Sequence, residues 1–368
     1  MNDLERRLQD ALRDATSDYR PSDTHEAKAR FMTRFRRRRY AFYGGSVALA
    51  GAAAVGAFLL LPGQVTDRAT PQPLPPASRP IELSVIEVGS QPSGIAFGND
   101  SVWVANSADG TIDVIDPLTN SVRRSVSIGG SPDDVAIGLG AAWASDTAAG
   151  TVTKIPFGAS AGIELPVGEP GAGLDVAPGA GAIWVISHGD SLYRIDPATD
   201  EVETVATEIE GLIDVAAGQG TVVVLGSDTL YKVDPATLVP SILAQVSPSA
   251  DQDLRMSDGA VWVANGDAGE VTRYDLSTGQ ASEPVYVGGN FTAIASDDDA
   301  MWMISGDDGD EGNLTRIDPA TADIVGARVR MTGHPYDVTT GAGSVWIVNI
   351  GSETVVRLDP NALPDQRS

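Results

Sequence analysis

The chain has 368 residues, 25 basic and 50 acidic side chains, and no cysteine. Disulfides, thiolate metal ligands and a cysteine nucleophile are thereby excluded. Residues 1–61 carry 11 Lys/Arg against 7 Asp/Glu, a net of +4, whereas residues 62–368 carry 14 against 43, a net of −29. A body this acidic repels phosphate backbones, so nucleic acid is not expected as a partner.

Residues 1–40 read as a short helical segment. Leu4, Leu8, Ala11, Leu12 and Ala15 share one helical face. Pro21 interrupts that helix, and Asp23 with Glu26 forms a capping-box-like start for a second one toward Arg39. His25 is simply a residue of that helix. The basic run at Arg34 and Arg36 to Arg39 precedes residues 41–61, which carry no charge. At about 1.5 Å rise per residue this stretch spans roughly 30 Å, the thickness of a bilayer core. No comparable basic cluster follows it, so the positive-inside rule places the N-terminus in the cytoplasm. A cleaved signal peptide fits less well, because the charged region before the apolar stretch is too long. The expectation is a single-pass protein of the cell membrane. Residues 62–80 contain Pro62, Pro71, Pro73, Pro75, Pro76 and Pro80, an extended, semi-rigid linker.

Residues 81–368 repeat. Ser-Val-Trp-Val-Ala-Asn at 101–106 recurs in related form at 141–146, 182–187, 221–226, 260–265, 300–305 and 344–349. The key positions are Trp103, Trp143, Trp184, Val223, Trp262, Trp302 and Trp346, at spacings of 40, 41, 39, 39, 40 and 44. Six of these are all the tryptophans in the chain. A period of about 40 residues suits a four-stranded propeller blade. Each unit is punctuated by an Asp-Pro turn (116–117, 196–197, 234–235, 318–319, 359–360), with Asp275-Leu276 as a variant and Ile155-Pro156 degenerate. Asp accepts backbone hydrogen bonds in such a turn and Pro presets φ. The last unit lacks a fourth strand, and Ile81 to Val88 reads as a fourth strand without a unit. The tail of that segment, Val88-Gly89-Ser90-Gln91-Pro92, matches Ile128-Gly129-Gly130-Ser131-Pro132 at the end of the first unit. The fold expected is all-β: a seven-bladed β-propeller whose N-terminal strand closes the last blade and removes the open edge. The tryptophans are expected between blades, with blade 4, which has only Val223, as the loosest seam.

Trp-Val-Ala-Asn at 103–106 and 262–265 and Trp-Ile-Val-Asn at 346–349, with the Pro-x-x-Val-Ala and Ile-Asp-Pro-x-Thr elements, resemble the YVTN-repeat and NHL-like propellers. The resemblance covers residues 81–360, and with the apolar stretch 41–61 the expectation is a membrane-anchored bacterial member of that group. It speaks to fold and hardly to activity, because such propellers include binding modules, sensor domains and a few enzymes.

Nine residues before the key position stand Gly94, Asp134, Asp175, Asp214, Asp253, Ala293 and Asp337. This position starts the innermost strand at the mouth of the central channel. The Trp-bearing strand runs back to the same rim and ends at Asn106, Asp146, Ser187, Asn265, Ser305 and Asn349. One reading is an acidic funnel for a cation or cationic ligand, with calcium or magnesium as the cofactor. The other is that each Asp accepts backbone N–H bonds where blades meet. Sheets sit about 10 Å apart, too far for all the carboxylates to reach one ion whose oxygens lie at about 2.3–2.6 Å. The loop Asp307 to Asn313 is acid-rich but lacks EF-hand spacing, and reads as a solvated hairpin tip.

Streptogramin lyases are similar seven-bladed propellers that use a histidine and a metal held near a Glu-x-His pair. Here His188 and His334 are the only histidines of the repeat domain, and neither lies in such a pair. They are expected on the channel-mouth face in blades 3 and 7, far apart. The function expected is an extracytoplasmic recognition module. Asp134, Asp175, Asp214, Asp253, Asp337, Asn106, Asn265, Asn349, His188 and His334 would form a face that takes up a small molecule, a cell-envelope component or a protein. The alternative is a metal-dependent lyase or lactonase.

Overall fold

The computed structural model describes residues 84–362, apart from 188–190, 206–208, 250–251, 258, 290, 298 and 307–310. The segment 1–40, the apolar stretch 41–61, the linker 62–80, His188 and most of the acid-rich loop lie outside the described residues.

Alternating strands separated by tight turns fold into seven antiparallel four-stranded sheets. In blade 1 the strands are Pro92–Gly98, Ser101–Asn106, Thr111–Asp116 and Ser121–Ser127, from the channel outward. In blades 1, 2, 3, 4 and 7 the first hairpin is a two-residue turn with both central residues at positive φ, such as Leu139 (51°) with Gly140 (88°) and Ala342 (49°) with Gly343 (67°). That geometry matches the right-handed twist of the flanking strands, and glycine adopts it without steric cost.

The last blade is built from Pro335–Gly341, Ser344–Asn349 and Thr354–Leu358, and its fourth strand is Ser84–Glu87. Ser84 pairs with Arg357 and Glu87 with Thr354. The front of the repeat domain thus completes its final sheet, as the orphan strand in the sequence implies. The Ser90 hydroxyl then donates to Glu353 Oε1 (2.7 Å), while Gly89 N donates to Asp113 Oδ2 (2.9 Å) as the chain passes into blade 1.

Among the described residues the apolar core divides into seven clusters, one for each seam between successive blades. Each cluster holds the key residue of one blade and strand residues of the next. All six tryptophans are essentially sealed from solvent. Their indole N–H groups are satisfied by the residue five positions earlier: Gly98, Gly138, Gly179 and Gly341 offer carbonyls, Ser257 its hydroxyl and Asp297 its carboxylate. A buried indole without an acceptor would lose about 1–3 kcal/mol, so this turn is part of the core's design. The seam after blade 4 is filled rather than loose. Val223 is fully buried there, among Leu225, Leu230, Leu254, Val261 and Tyr274.

A second row of ties lies on the rim opposite the channel mouth. The cross-strand partner of the key position is Lys154, Arg194, Lys232, Arg273, Arg316 or Arg357 in six blades, and Val114 in blade 1. The Lys154, Arg316 and Arg357 cations sit 5.6, 5.5 and 4.8 Å from the centroid of the Trp ring beside them. Several reach on to the turn of the next blade. Lys154 Nζ donates to Pro197 O (2.7 Å), Lys232 Nζ to Leu276 O (3.0 Å) and Arg357 Nη1 to Pro117 O (2.7 Å).

Candidate functional site

The innermost strands begin at Pro92, Asp134, Leu174, Asp214, Gln252, Phe291 and Pro335, all on the rim where the Trp-bearing strands end. The five aspartates therefore stand at or near the first residue of an innermost strand. The carboxylates of Asp134, Asp214, Asp253 and Asp337 accept from backbone N–H groups. In blade 7, Asp337 Oδ1 accepts from Val338 N (2.8 Å) and Oδ2 from Ile95 N of blade 1 (3.0 Å). In blade 4, Asp214 Oδ1 accepts from Val215 N (2.6 Å) and Oδ2 from Leu254 N of blade 5 (2.7 Å). Asp134 accepts from Val135 N, and Asp253 from Leu254 N, each at 2.7 Å. Where both oxygens are engaged, one closes on its own strand and the other on the neighbouring blade.

The exception at blade 1 has a steric cause. A Cβ at Gly94 would fall 2.6 Å from Asp134 Oδ1 and 2.7 Å from Asp134 Cα. The acid of blade 2 occupies the space that a side chain at 94 would need.

Asp175, Asp214 and Asp253 come from three successive blades and act on one another. The Asp214 carboxyl is pushed well above the usual carboxylate range, first by burial, then by the charges of Asp175 and Asp253. A hydrogen bond between the Asp214 and Asp253 side chains adds to this, and the Leu254 N–H opposes it. The three acids thus gather negative charge where blades 3, 4 and 5 meet.

The asparagines sit differently. Asn106 and Asn349 are buried, at 0% and 2% exposure, behind the rim rather than on an open mouth. Asn106 Nδ2 donates to Thr111 Oγ1 (3.2 Å), and the Oδ1 atoms of both residues have no hydrogen-bond partner. Asn265 is half-buried, and its Oδ1 accepts from Ala268 N (3.0 Å), capping the turn that follows its strand. His334 is half-buried with φ at 61°, immediately before the innermost strand of blade 7, and its carbonyl accepts from Ile350 N (3.1 Å). Among the described residues no group of three or more His, Asp or Glu side chains is arranged to hold a metal ion.

No family model matches the chain, and no curated protein sequence matches it either. Its fold is shared with solved structures. Virginiamycin B lyase from Staphylococcus aureus superposes with a TM-score of 0.62 at 13% identity, covering 75% of this chain and 99% of that one. Hydrazine synthase of Kuenenia stuttgartiensis gives 0.63 at 16% identity, covering 82% and 100%. The computationally designed Ika8 protein gives 0.54 at 17%, covering 76% and 99%. At these identities the similarity establishes a seven-bladed propeller and nothing finer.

Proposed function

We propose that the chain is a YVTN- or NHL-like bacterial recognition module held to the cell membrane by one helix at 41–61. In this reading residues 1–40 are cytoplasmic and the Pro-rich linker 62–80 carries an extracytoplasmic propeller. The first strand, Ser84–Glu87, enters from the rim opposite the channel mouth, since Ser84 pairs with Arg357 near that rim and Glu87 with Thr354 near the mouth. A tether attached there turns the mouth away from the membrane, toward whatever the module recognises.

The observation that carries the reading is that Asp175, Asp214 and Asp253 stand at the start of three successive innermost strands at the mouth, with Asp214 reaching across to the backbone beside Asp253. Carboxyls gathered this closely favour a cationic group beside them. The ligand class is therefore a small molecule, envelope component or protein segment that presents a positive charge. Titration of the full-length chain in non-ionic detergent with spermidine, calcium and magnesium tests this by thermal shift. The expected result is a rise in melting temperature with at least one of these cations that Asp214→Asn abolishes. No shift with any of them would end the reading. Protease protection in spheroplasts tests the topology, with the propeller expected to be cleaved from outside.

A lyase or lactonase is the second reading. It draws on the fold shared with virginiamycin B lyase and on His334 beside the mouth. Assay of lactones and streptogramins with and without magnesium separates the two, because a binding module turns over neither.

A further inference from the structure

The rim opposite the channel mouth departs from its own repeat at one seam, between blades 1 and 2. Blade 1 has Val114 where the other six have a cation. Blade 2 has Pro156-Phe157 where the others place Asp followed by Pro or Leu. Elsewhere that Asp brings a carboxylate to the rim, and backbone N–H donors of the turn hold Asp196 and Asp234 below the usual carboxylate range. At the turn of blade 2 this carboxylate is missing.

Two arginines fill the gap from the outer strand of blade 1. Val114 pairs with Arg124 and Ile115 with Val122, so Arg123 is the extra residue of a β-bulge. Adjacent residues of a regular strand point to opposite faces, but a bulge re-aims one of them. Arg123 and Arg124 consequently line one open, solvent-facing cleft of about 520 Å³, together with Asn99, Phe157 and Gly158. The Arg123 Nη2 donates to Ser101 Oγ (2.7 Å) and the Arg124 Nη1 to Ala159 O (2.5 Å). The Arg124 guanidinium also lies 5.4 Å from the centroid of the Trp103 ring, whose neighbour is Phe157 at 6.0 Å.

Among the described residues neither guanidinium has a carboxylate within ion-pair distance, and Asp100 in the adjacent turn pairs with neither. The pair sits in a repeat domain whose residues 81–368 carry 12 Lys/Arg against 42 Asp/Glu, a net of −30. Burial, and then the charge of Arg123, push the Arg124 guanidinium down from its usual range. Two like charges share a cleft with no counter-charge. Each has N–H donors left over, and a planar guanidinium matches an oxyanion in geometry.

We propose that this cleft binds a small organic anion. Its phosphate or carboxylate head would meet Arg123 and Arg124, and its flat apolar part would lie against Phe157. The inference does not depend on the reading of the channel mouth, which lies on the other rim.

Isothermal titration of the full-length chain in non-ionic detergent, with phenyl phosphate and with inorganic phosphate, tests it. Phenyl phosphate is expected to bind saturably at one site, at least about tenfold tighter than inorganic phosphate. Arg123→Ala should weaken it by about tenfold or more, since a charge-assisted hydrogen bond is lost. Arg123 is exposed, so this variant should keep the wild-type melting temperature. Arg330→Ala removes an exposed arginine paired with Glu311 on blade 6 and should leave binding unchanged. Phe157→Ala should reduce the preference for the aryl ester. Absence of saturable binding, equal affinity for the two phosphates, or equal losses in Arg123→Ala and Arg330→Ala would each overturn the assignment.

Discussion

Replacing Arg357 by alanine should loosen the ring at its closing seam. The guanidinium lies 4.8 Å from the Trp346 ring centroid, donates through Nη1 to Pro117 O and Asn120 Oδ1 (each 2.7 Å), and through Nε to Ser344 Oγ (2.9 Å). A hydrogen bond from a charged group is worth about 1.5–3 kcal/mol, and a cation over an indole about 0.5–2 kcal/mol. The full sum overstates the loss, because Asn120 is half-buried and water can take over part of that bonding. A loss of about 3 kcal/mol is therefore expected. Arg357→Lys should cost only about 1 kcal/mol, since Lys154 and Lys232 already make the same reach in blades 2 and 4. Arg330, whose ion pair with Glu311 is exposed at 55% and 44%, serves as the control, with about 0.5 kcal/mol or less expected. Urea midpoints of the three variants, measured at one pH and salt, supply the comparison. If Arg357→Ala shifts the midpoint no more than Arg330→Ala, the cation row is decoration and not a tie.

Trp262→Ala should cost about 3–5 kcal/mol, whereas Val223→Ala at the equivalent place in blade 4 should cost about 2 kcal/mol, both read by urea denaturation. Asp337→Ala removes the acceptor for Val338 N and Ile95 N and should cost about 1–3 kcal/mol, and Asp337→Asn, which keeps one acceptor oxygen but turns an NH2 donor toward the other N–H, should cost a similar amount. The pH profile should have two limbs of opposite origin. The folded-state pKa of Asp214 is raised, so the native chain holds the extra proton, and stability falls as pH rises from the ordinary carboxylate range through the raised value. Asp196, Asp234 and Asp275 are held below the usual range by their turns, so their contribution is present above it and lost as pH falls through their lowered values. Asp214→Asn should flatten the first limb and leave the second, as melting curves between pH 3 and pH 8 would reveal (roughly the span over which these carboxyls titrate).

The blade count and the ring closure were legible because their signals repeat at fixed spacing. An indole every 40 residues or so must be buried, and a strand with no sheet of its own must find an edge. The cation row is hidden in the sequence for a geometric reason. Counted from the key residue it wanders between nine and fourteen positions, because the intervening hairpin varies in length. Counted from the Asp of the following turn it is constant at two, as in Arg194 before Asp196 and Arg357 before Asp359. The aspartates were visible as a pattern, but the sequence left open whether they face the channel or the backbone. Their orientation is settled by the N–H groups of the next residue and the next blade, which only the assembled ring brings within reach. The Arg123 bulge was equally hidden, since nothing in Ser121–Ser127 distinguishes an alternating strand from one with an extra residue.

Three kinds of tie that cross the seams point the same way around the ring, whereas the hydroxyls of Ser296 and Thr340 reach back to Met256 O and Ser296 O of the preceding blade. Aspartates at the mouth reach forward in blades 4 and 7, the key residue of each blade enters the core cluster it shares with the next, and cations at the far rim reach forward in blades 2, 4 and 7. A head-to-tail interface of this kind closes only if the last member can grip the first. Blade 7 does so with all three: Asp337 to Ile95 N, Trp346 among Ile95, Val102 and Ile115, and Arg357 to Pro117 O. None of these groups belongs to the strand Ser84–Glu87. That strand adds a backbone ladder that ties the segment entering blade 1 to Thr354–Leu358, places Ile86 in the same cluster, and covers the outer edge of the last blade. An uncovered edge would expose a row of unpaired N–H and C=O groups to other chains. The closing strand therefore serves twice, as a backbone tie across the closing seam and as a guard against misassociation.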